Sequence, residues 1–495
     1  MIVLRDVQET SRVQIQNLPT RQFVGGEWRT GSGADRAVFS PSSGNQLAVV
    51  PDAGFDDLDA AVAAATQAQA AWYSIGPGAR AAALREAAAR LRDHSEELAL
   101  IDAFDSGNPV RGMRFDVSLA ATLIDYFAGI ATEAKGQTIP QRDGKLTYVK
   151  REPMGVVARL VAFNHPLLFA AAKMAPPLAA GNSVIIKPSE ETPLSALRMA
   201  EIVEDVFPKG VLSVLSGGVE LGKAICAHPG IAALGLIGSV GTGKAILKSA
   251  SETLKRTQLE LGGKNALIIC PDADPDAAID GAVKGMNLGW TAGQSCGSTS
   301  RILVHSSLHD KVVDGIACSF ERVRLGDPTD EATEMGCLSS RPQYSKVLDH
   351  IEVAISEGAE LRTGGDWSGV PENGFFVPPT LVTGVTRDMR IAREEVFGPV
   401  LAVMVWHDED EMLDIVNGLD VGLTASVWTQ NLDTAMRLTD RIRTGYVWVN
   451  DSSDHYLGAP FGGVKSSGHG REECLDELLA YTEQKTVTIV PRNIN

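Results

Sequence analysis

The chain has no pair of cysteines at C-x-x-C spacing; its six cysteines, Cys226, Cys270, Cys296, Cys318, Cys337 and Cys474, lie scattered. That argues against a structural zinc site and against a disulfide framework, and no metal is expected. No stretch of eighteen uncharged apolar residues occurs, so no membrane span is expected. The opening MIVLRDVQETSRVQIQN carries charges where a signal peptide needs an apolar block, which leaves a reducing cytoplasm as the expected setting. Basic residues are in deficit: 45 Lys and Arg stand against 62 Asp and Glu, a net charge of −17. Such a surface does not suit nucleic acid or an anionic membrane, although backbone N–H groups can still hold a small anion. Internal repeats and low-complexity tracts are also missing. What is present is 495 residues, enough for two or three domains, with 44% hydrophobic residues, 22% charged residues and 49 glycines. That balance suits helices packed on sheets, with turns that approach a ligand closely.

Two Ala-rich helices are predicted at 57–72 and 79–101; in the second, Leu84, Leu91 and Leu98 recur every seven residues and give one apolar stripe. Strand and helix then alternate. Strands are expected at 156–163, 183–187, 211–215 and 232–237, and helices at 167–180, 194–207, 220–228 and 242–254. This rhythm implies an α/β fold with a doubly wound parallel sheet and ligands at the carboxyl ends of its strands. A second series has strands at 266–270, 301–305 and 400–406 and a helix at 275–290, which gives a second lobe. Two further strand-like segments, 144–153 and 480–490, flank the lobes without a sheet of their own and suggest an arm that pairs between subunits.

The run GSVGTGKA, Gly238 to Ala245, fills seven of the eight positions of the phosphate-gripping pattern G-x-x-x-x-G-K-[ST]. It lacks the hydroxyl that would hold magnesium, since Ala245 stands there. It also follows the fourth strand of its series, whereas P-loop enzymes and standard dinucleotide folds place the glycine turn after the first. A nucleotide hydrolase is therefore disfavoured. A helix starting near Thr242 would still aim free N–H groups at a pyrophosphate.

Six more stretches carry chemistry: FNHP (163–166), KPSEETPLSA (187–196), TQLELGGKNA (257–266), GWTAGQSCGSTSR (289–301), REEVFGPVLAV (393–403) and PFGGVKSSGHGRE (460–472). Together, in this order and spacing over nearly the whole chain, they resemble the aldehyde dehydrogenase superfamily. The resemblance implies two doubly wound lobes: a NAD-binding domain over 1–130 and 154–262, a catalytic domain over 263–465, and an oligomerisation arm over 131–153 and 480–495. It also implies a homodimer or homotetramer.

Taken alone, a cysteine is more often a small buried hydrophobe than a nucleophile, but Cys296 sits among Gly293, Gln294, Ser295 and Gly297, which leave room for a substrate. The resemblance makes it the nucleophile that adds to an aldehyde carbon, loses hydride to a nicotinamide and is left as a thioester. The other five cysteines are expected in helices or strands as structural residues. Asn164, which could also be a plain turn residue before His165-Pro166, matches the side-chain donor to the oxyanion, shared with the backbone N–H of Cys296. Glu260, flanked by Leu259 and Leu261, matches the base that activates water; family members that pass the acyl group to coenzyme A lack it, so a free acid is the expected product. Glu472 matches a proton relay and Lys173 a lysine near the site, although either residue alone would read as a solvated charge.

For the cofactor, the resemblance assigns Phe163, Lys187, Ser189, Glu190, Gly222, Gly238, Ser239, Leu261, Gly262, Glu395 and Phe397. Glu190 would accept the ribose hydroxyls and repel a 2′-phosphate, which favours NAD over NADP. Lys244 is expected on the helix surface. For the substrate, the resemblance points to His165, Trp290, Phe461 and Tyr456. Here the sequence departs from the family: Phe163 and His165 flank Asn164 where an aromatic pair is common, and Ala172 precedes Lys173 where betaine-aldehyde enzymes carry an aromatic wall. With Asp454, His455 and Tyr456 nearby, a polar or aromatic aldehyde is expected. A catalytically silent homologue and a cysteine thioesterase that works without NAD are the remaining alternatives.

Overall fold

A computed structural model describes residues 18–141 and 144–491. The extreme N-terminus and the last residues of the expected arm lie outside the described residues. Two parallel sheets organise the rest. In the first, Leu212–Val214, Ser183–Lys187, Val156–Leu160, Ala233–Gly238 and Arg256–Leu261 run parallel in that spatial order. Chain direction across the sheet reverses at Val156–Leu160, because the next strand placed on its far side is the fourth of the series. Antiparallel edges close the sheet: Gln22–Val24 and Glu27–Arg29 on one side, Gly468–His469 on the other. The central strands Val156–Leu160 and Ser183–Lys187 are buried along their whole length, as continuous β-branched runs covered on both faces must be.

The second sheet holds Glu360–Thr363, Thr380–Thr383, Val400–Trp406, Arg301–His305, Ala266–Ile269, Thr424–Trp428 and Tyr446–Val449, parallel except at its first edge. The segments expected to be stray strands instead form a sheet of their own: Thr482–Ile489 pairs along all eight residues of Leu146–Pro153, which also takes Gln137–Ile139. An eight-residue ladder satisfies backbone groups that a free edge would leave to water.

Several element bounds differ from expectation. The helix expected over 79–101 is two, Gly76–Asp93 and Ser95–Ser106, broken at His94, whose ring bonds back to the Arg90 carbonyl. Leu84, Leu91 and Leu98 are nevertheless all fully buried, so the apolar stripe survives the break. The 167–180 segment splits likewise into Pro166–Ala172 and Ala175–Ala180, because Pro176 and Pro177 fit only the first turn of a new helix. The helix expected at 194–207 ends at Ile202, the one expected over 275–290 stops at Gly285, and the one after GSVGTGKA starts at Val240 rather than Thr242. A long helix unread in the sequence, Val110–Gly129, buries Met113, Val117, Ala120, Ile124 and Phe127 on one face, and Asp116 lies on that same face. Of the cysteines expected in regular elements, Cys270, Cys337 and Cys474 lie just outside them, although all three are buried.

Candidate active site

Strand register brings the site together. Leu160 pairs with Lys187 on one side and Leu236 on the other, while Ile237 pairs with Glu260 and Gly238 with Leu261. Four neighbouring strands therefore end at one edge, and the turns leaving them deliver Phe163, Asn164, Gly238, Ser239 and Gly262 to a cavity of about 140 Å³. Glu260, Cys296, Gln343, Lys346, Glu395 and Phe397 line the same cavity. A larger surface groove of about 540 Å³, between Arg36 and Gly218, is lined by no cysteine.

Cys296 is held by its backbone. Asn265 donates from Nδ2 to the carbonyls of Cys296 at 2.6 Å and Ser298 at 2.9 Å, and its Oδ1 accepts from the Thr424 N–H at 3.2 Å. Burial and the charge of Glu260 push the Cys296 thiol well above its ordinary range. Glu260 is itself only 3% exposed, and its Oε1 has no hydrogen-bond partner among the described residues. Burial first, then the neighbouring charge of Glu472, hold its carboxyl well above the usual carboxylate range. Asn164 is buried, and its backbone carbonyl accepts from Asn108 Nδ2 at 2.9 Å, which fixes the turn while leaving the Asn164 amide free for other partners.

Lys173 and Glu472, each readable as a surface charge, are both buried. Lys173 Nζ lies 2.9 Å from Glu472 Oε2 and 3.6 Å from Glu477; Arg159 reaches the other Glu472 oxygen at 2.8 Å and also bonds the Tyr481 hydroxyl. Desolvation works against ionising Glu472, but Lys173 and Arg159 outweigh it and hold the carboxyl below its usual range. Burial raises Glu477 instead.

On the dinucleotide side, Ser239 caps the helix Val240–Ser251, its Oγ accepting the Thr242 N–H at 3.2 Å. Lys244 lies exposed on that helix. Leu261 packs under the turn, since a Cβ on Gly243 would come 2.6 Å from its Cδ1. Gly262 has no room for a side chain: a Cβ there would sit 2.2 Å from Glu395 Oε2. Glu395 Oε1 accepts the Gly263 N–H at 3.0 Å. Phe397 holds a left-handed φ of 60°, its carbonyl tied to Gln343 Nε2 at 2.6 Å, and its ring meets Phe163 edge-on at 5.9 Å. Lys187 is buried and lies 3.5 Å from the half-exposed Glu190; Gly222 faces the Lys187 stem, and the Ser189 hydroxyl accepts from the Glu191 N–H.

The substrate residues separate. None of the four lines the 140 Å³ cavity: His165, Trp290 and Phe461 lie in packed aromatic contacts, and Tyr456 is 68% exposed. Asn265, Gln343, Lys346, Asn108 and Asp116 were not singled out in the sequence. Asn265 and Lys346 stand within ordinary polar contexts, but Asp116 had a readable signal: an acid on the apolar face of a helix.

The aldehyde dehydrogenase family profile matches residues 28–487. The aldehyde dehydrogenase tropH of Talaromyces stipitatus is 48% identical over 477 residues, covering 94% of this chain and 92% of its own length. A hydroxyisobutyraldehyde dehydrogenase of Mycolicibacterium austroafricanum is 39% identical over 474 residues, covering 95% and 94%. Among solved structures, the NAD⁺ complex of aldehyde dehydrogenase from Bacillus cereus superposes with a TM-score of 0.94 at 37% identity, covering 98% of this chain and 99% of that one. With two parallel lobes meeting at Cys296 and relatives matched from end to end, this chain belongs to the aldehyde dehydrogenase family.

Proposed function

We propose that this protein oxidises a polar or aromatic aldehyde to the free carboxylic acid, with NAD as hydride acceptor and Cys296 as the covalent nucleophile. The supporting observation is that one cavity joins the Cys296 loop, the buried Glu260 and the Gly238-Ser239 turn.

The residues fit a dinucleotide. The Gly238-Ser239 turn opens the helix Val240–Ser251, whose first N–H groups suit a pyrophosphate, and Gly262 keeps the floor of the cavity free of a Cβ. Lys187, Ser189, Glu190 and Gly222 would hold the adenosine end, and Glu395 with Phe397 the nicotinamide end. Glu190 favours NAD over NADP. Bound NAD supplies the acceptor for two electrons and a hydrogen.

The rest falls to the protein. With its thiol pushed up, Cys296 rests protonated, and Glu260 is the carboxylate in the same cavity able to take that proton. The sulfur adds to the aldehyde carbon and the carbonyl electrons move to oxygen, where the Asn164 side chain and the Cys296 N–H are the donors. As the oxyanion collapses, hydride departs with its electron pair and a Cys296 thioester remains. Glu260 releases the thiol proton towards Glu472 before deacylation, then takes a proton from water as the water oxygen attacks the thioester carbon, and the sulfur leaves as thiolate. Glu472, paired with Lys173, stands next in line to carry the proton away.

Three parts of the architecture join this reading. The cofactor half is residues 1–130 with 154–262 and the catalytic half 263–465; the three-stranded sheet formed within 131–153 and 480–495 serves as the subunit-pairing arm of a homodimer or homotetramer. A cytoplasmic setting is part of the same reading, and no described helix is long and apolar enough to cross a membrane.

The test is intact-protein mass spectrometry after rapid quench of enzyme, aldehyde and NAD⁺. Acyl mass on Cys296, appearing with reduced cofactor, is expected. A Cys296→Ser protein that turns over aldehyde undiminished would overturn the assignment, and NAD-independent ester cleavage as the only activity would favour the thioesterase reading.

A further inference from the structure

The residue after the oxyanion donor is a histidine held in place by a buried carboxylate. Asp116 is completely buried on the apolar face of the helix Val110–Gly129. Its Oδ1 accepts the Trp290 indole N–H at 2.6 Å, and its Oδ2 lies 2.8 Å from His165 Nδ1. An indole N–H can only donate, so Asp116 serves both rings as acceptor, and the imidazole hydrogen is assigned to Nδ1. The His165 ring meets the Trp290 ring at 4.7 Å and the Phe169 ring at 5.3 Å between centroids, both edge-on, so the imidazole is packed on two sides. Its Nε2 keeps a lone pair and makes no hydrogen bond among the described residues. His165 is 4% exposed, yet its Nε2 is not among the polar atoms sealed from solvent without a partner, so this lone pair is open to a donor from outside the protein.

The arrangement is repeated once. His455 Nδ1 lies 3.0 Å from Glu473 Oε2, and its ring stacks on Phe461 at 4.2 Å. The loop that carries it, 450–460, leans on the same helix as Asp116: a Cβ on Gly458 would sit 3.5 Å from the Tyr126 hydroxyl. Phe461 pairs through its backbone with Glu472, beside Lys173. Two imidazoles, each backed by a carboxylate, therefore flank the groups assigned to the chemistry.

We propose that His165 is a specificity-determining residue that selects aldehydes bearing a hydroxyl group, accepting the substrate O–H at Nε2, and that Asp116 is its positioning residue. The inference rests on the reading of Cys296 as nucleophile and names the substrate class of that site. The carboxylate behind the imidazole also works against aldehydes that carry a second carboxylate, because the pair is negative overall with a neutral ring.

The experiment compares kcat/KM for matched aldehydes: 3-hydroxybenzaldehyde against benzaldehyde, 3-hydroxybutanal against butanal, and succinic semialdehyde as the anionic arm. The parent enzyme is expected to favour the hydroxylated member of at least one neutral pair by about tenfold or more, a selectivity within reach of one substrate hydroxyl. Which pair responds tells a phenol from an aliphatic alcohol. His165→Phe should bring that ratio close to one, His165→Gln should restore part of it through its amide oxygen, and Asp116→Asn should lower it by loosening the ring. Because a ratio is read, a general loss of activity cancels. A parent ratio near one, a ratio untouched by His165→Phe, or a preference for succinic semialdehyde lost in that variant would each overturn the proposal. The burst of reduced cofactor with benzaldehyde is recorded in every protein; a burst with an unchanged ratio removes His165 alone and leaves the Cys296 reading standing.

Discussion

The two sheets are both largely parallel and face the cavity with opposite ends. The first offers the carboxyl ends of its strands: Asn164 follows Val156–Leu160, Lys187 closes Ser183–Lys187, Ser239 follows Ala233–Gly238 and Gly262 follows Arg256–Leu261. The second offers amino ends: Asn265 precedes Ala266–Ile269, Cys296 precedes Arg301–His305, and Glu395 and Phe397 precede Val400–Trp406. At three of these carboxyl ends the strand hands over to a helix N-terminus, the place for a phosphate or an oxyanion, while Arg256–Leu261 runs on into the strand Ala266–Ile269 of the second sheet. At an amino end the chain arrives by a loop, and the loop is free to carry a nucleophile that no regular element could hold. The general rule that ligands sit at carboxyl edges thus describes the first lobe and reverses for the second. On the function proposed above, the division is anion handling on one side and covalent chemistry on the other.

That division is open to attack from either edge. The largest effect is expected at the second: Cys296→Ala should lower turnover at least about ten-thousandfold, by analogy with the loss of other nucleophiles, measured as steady-state reduced cofactor. On the first edge, Asn164→Ala removes one oxyanion donor, about 2.7–4 kcal/mol, and should lower kcat by roughly two to three orders of magnitude; a kcat within about threefold of the parent would remove the residue from that role. Glu260→Gln should retain the burst and slow the steady state by about a hundredfold, the low end for a general base. In the parent, Glu260 acts when deprotonated and burial raises its pKa, so deacylation should fall with pH while carboxylates of ordinary pKa, about 4.3, are still ionised. Gly262→Ala puts a Cβ against Glu395 and should weaken NAD⁺ binding about tenfold, roughly 1.4 kcal/mol, by equilibrium titration. Ser239→Ala is the mildest: losing the cap should cost about 1 kcal/mol, read as a lower melting temperature.

How much of this was legible depended on where each signal resides. Small-residue loops and strand ends are local, so Cys296, Glu260, Gly238 and the two-lobe α/β fold could be read from contiguous motifs. The stripe of Leu84, Leu91 and Leu98 reported burial correctly but not the break at His94, because periodicity records which face is covered and not whether one helix or two cover it. Two partners of the reactive loop left no local trace. Asn265 stabilises the Cys296 loop from 31 residues away, and Gln343 holds the Phe397 turn from 54 away. Both are short polar side chains whose importance arises only once the sheets are assembled. The resemblance also pointed to Tyr456 for the substrate, and the fold leaves that ring 68% exposed.

The buried quartet of Arg159, Lys173, Glu472 and Glu477 restricts how this enzyme can drift over generations. Two cationic and two acidic side chains share one dry space, so any single replacement that changes charge leaves an opposite partner stranded. Viable mutational routes through these four positions must change them two at a time or keep their charge. An exposed position such as Tyr456 is under no such restriction, and exchange there leaves the quartet untouched.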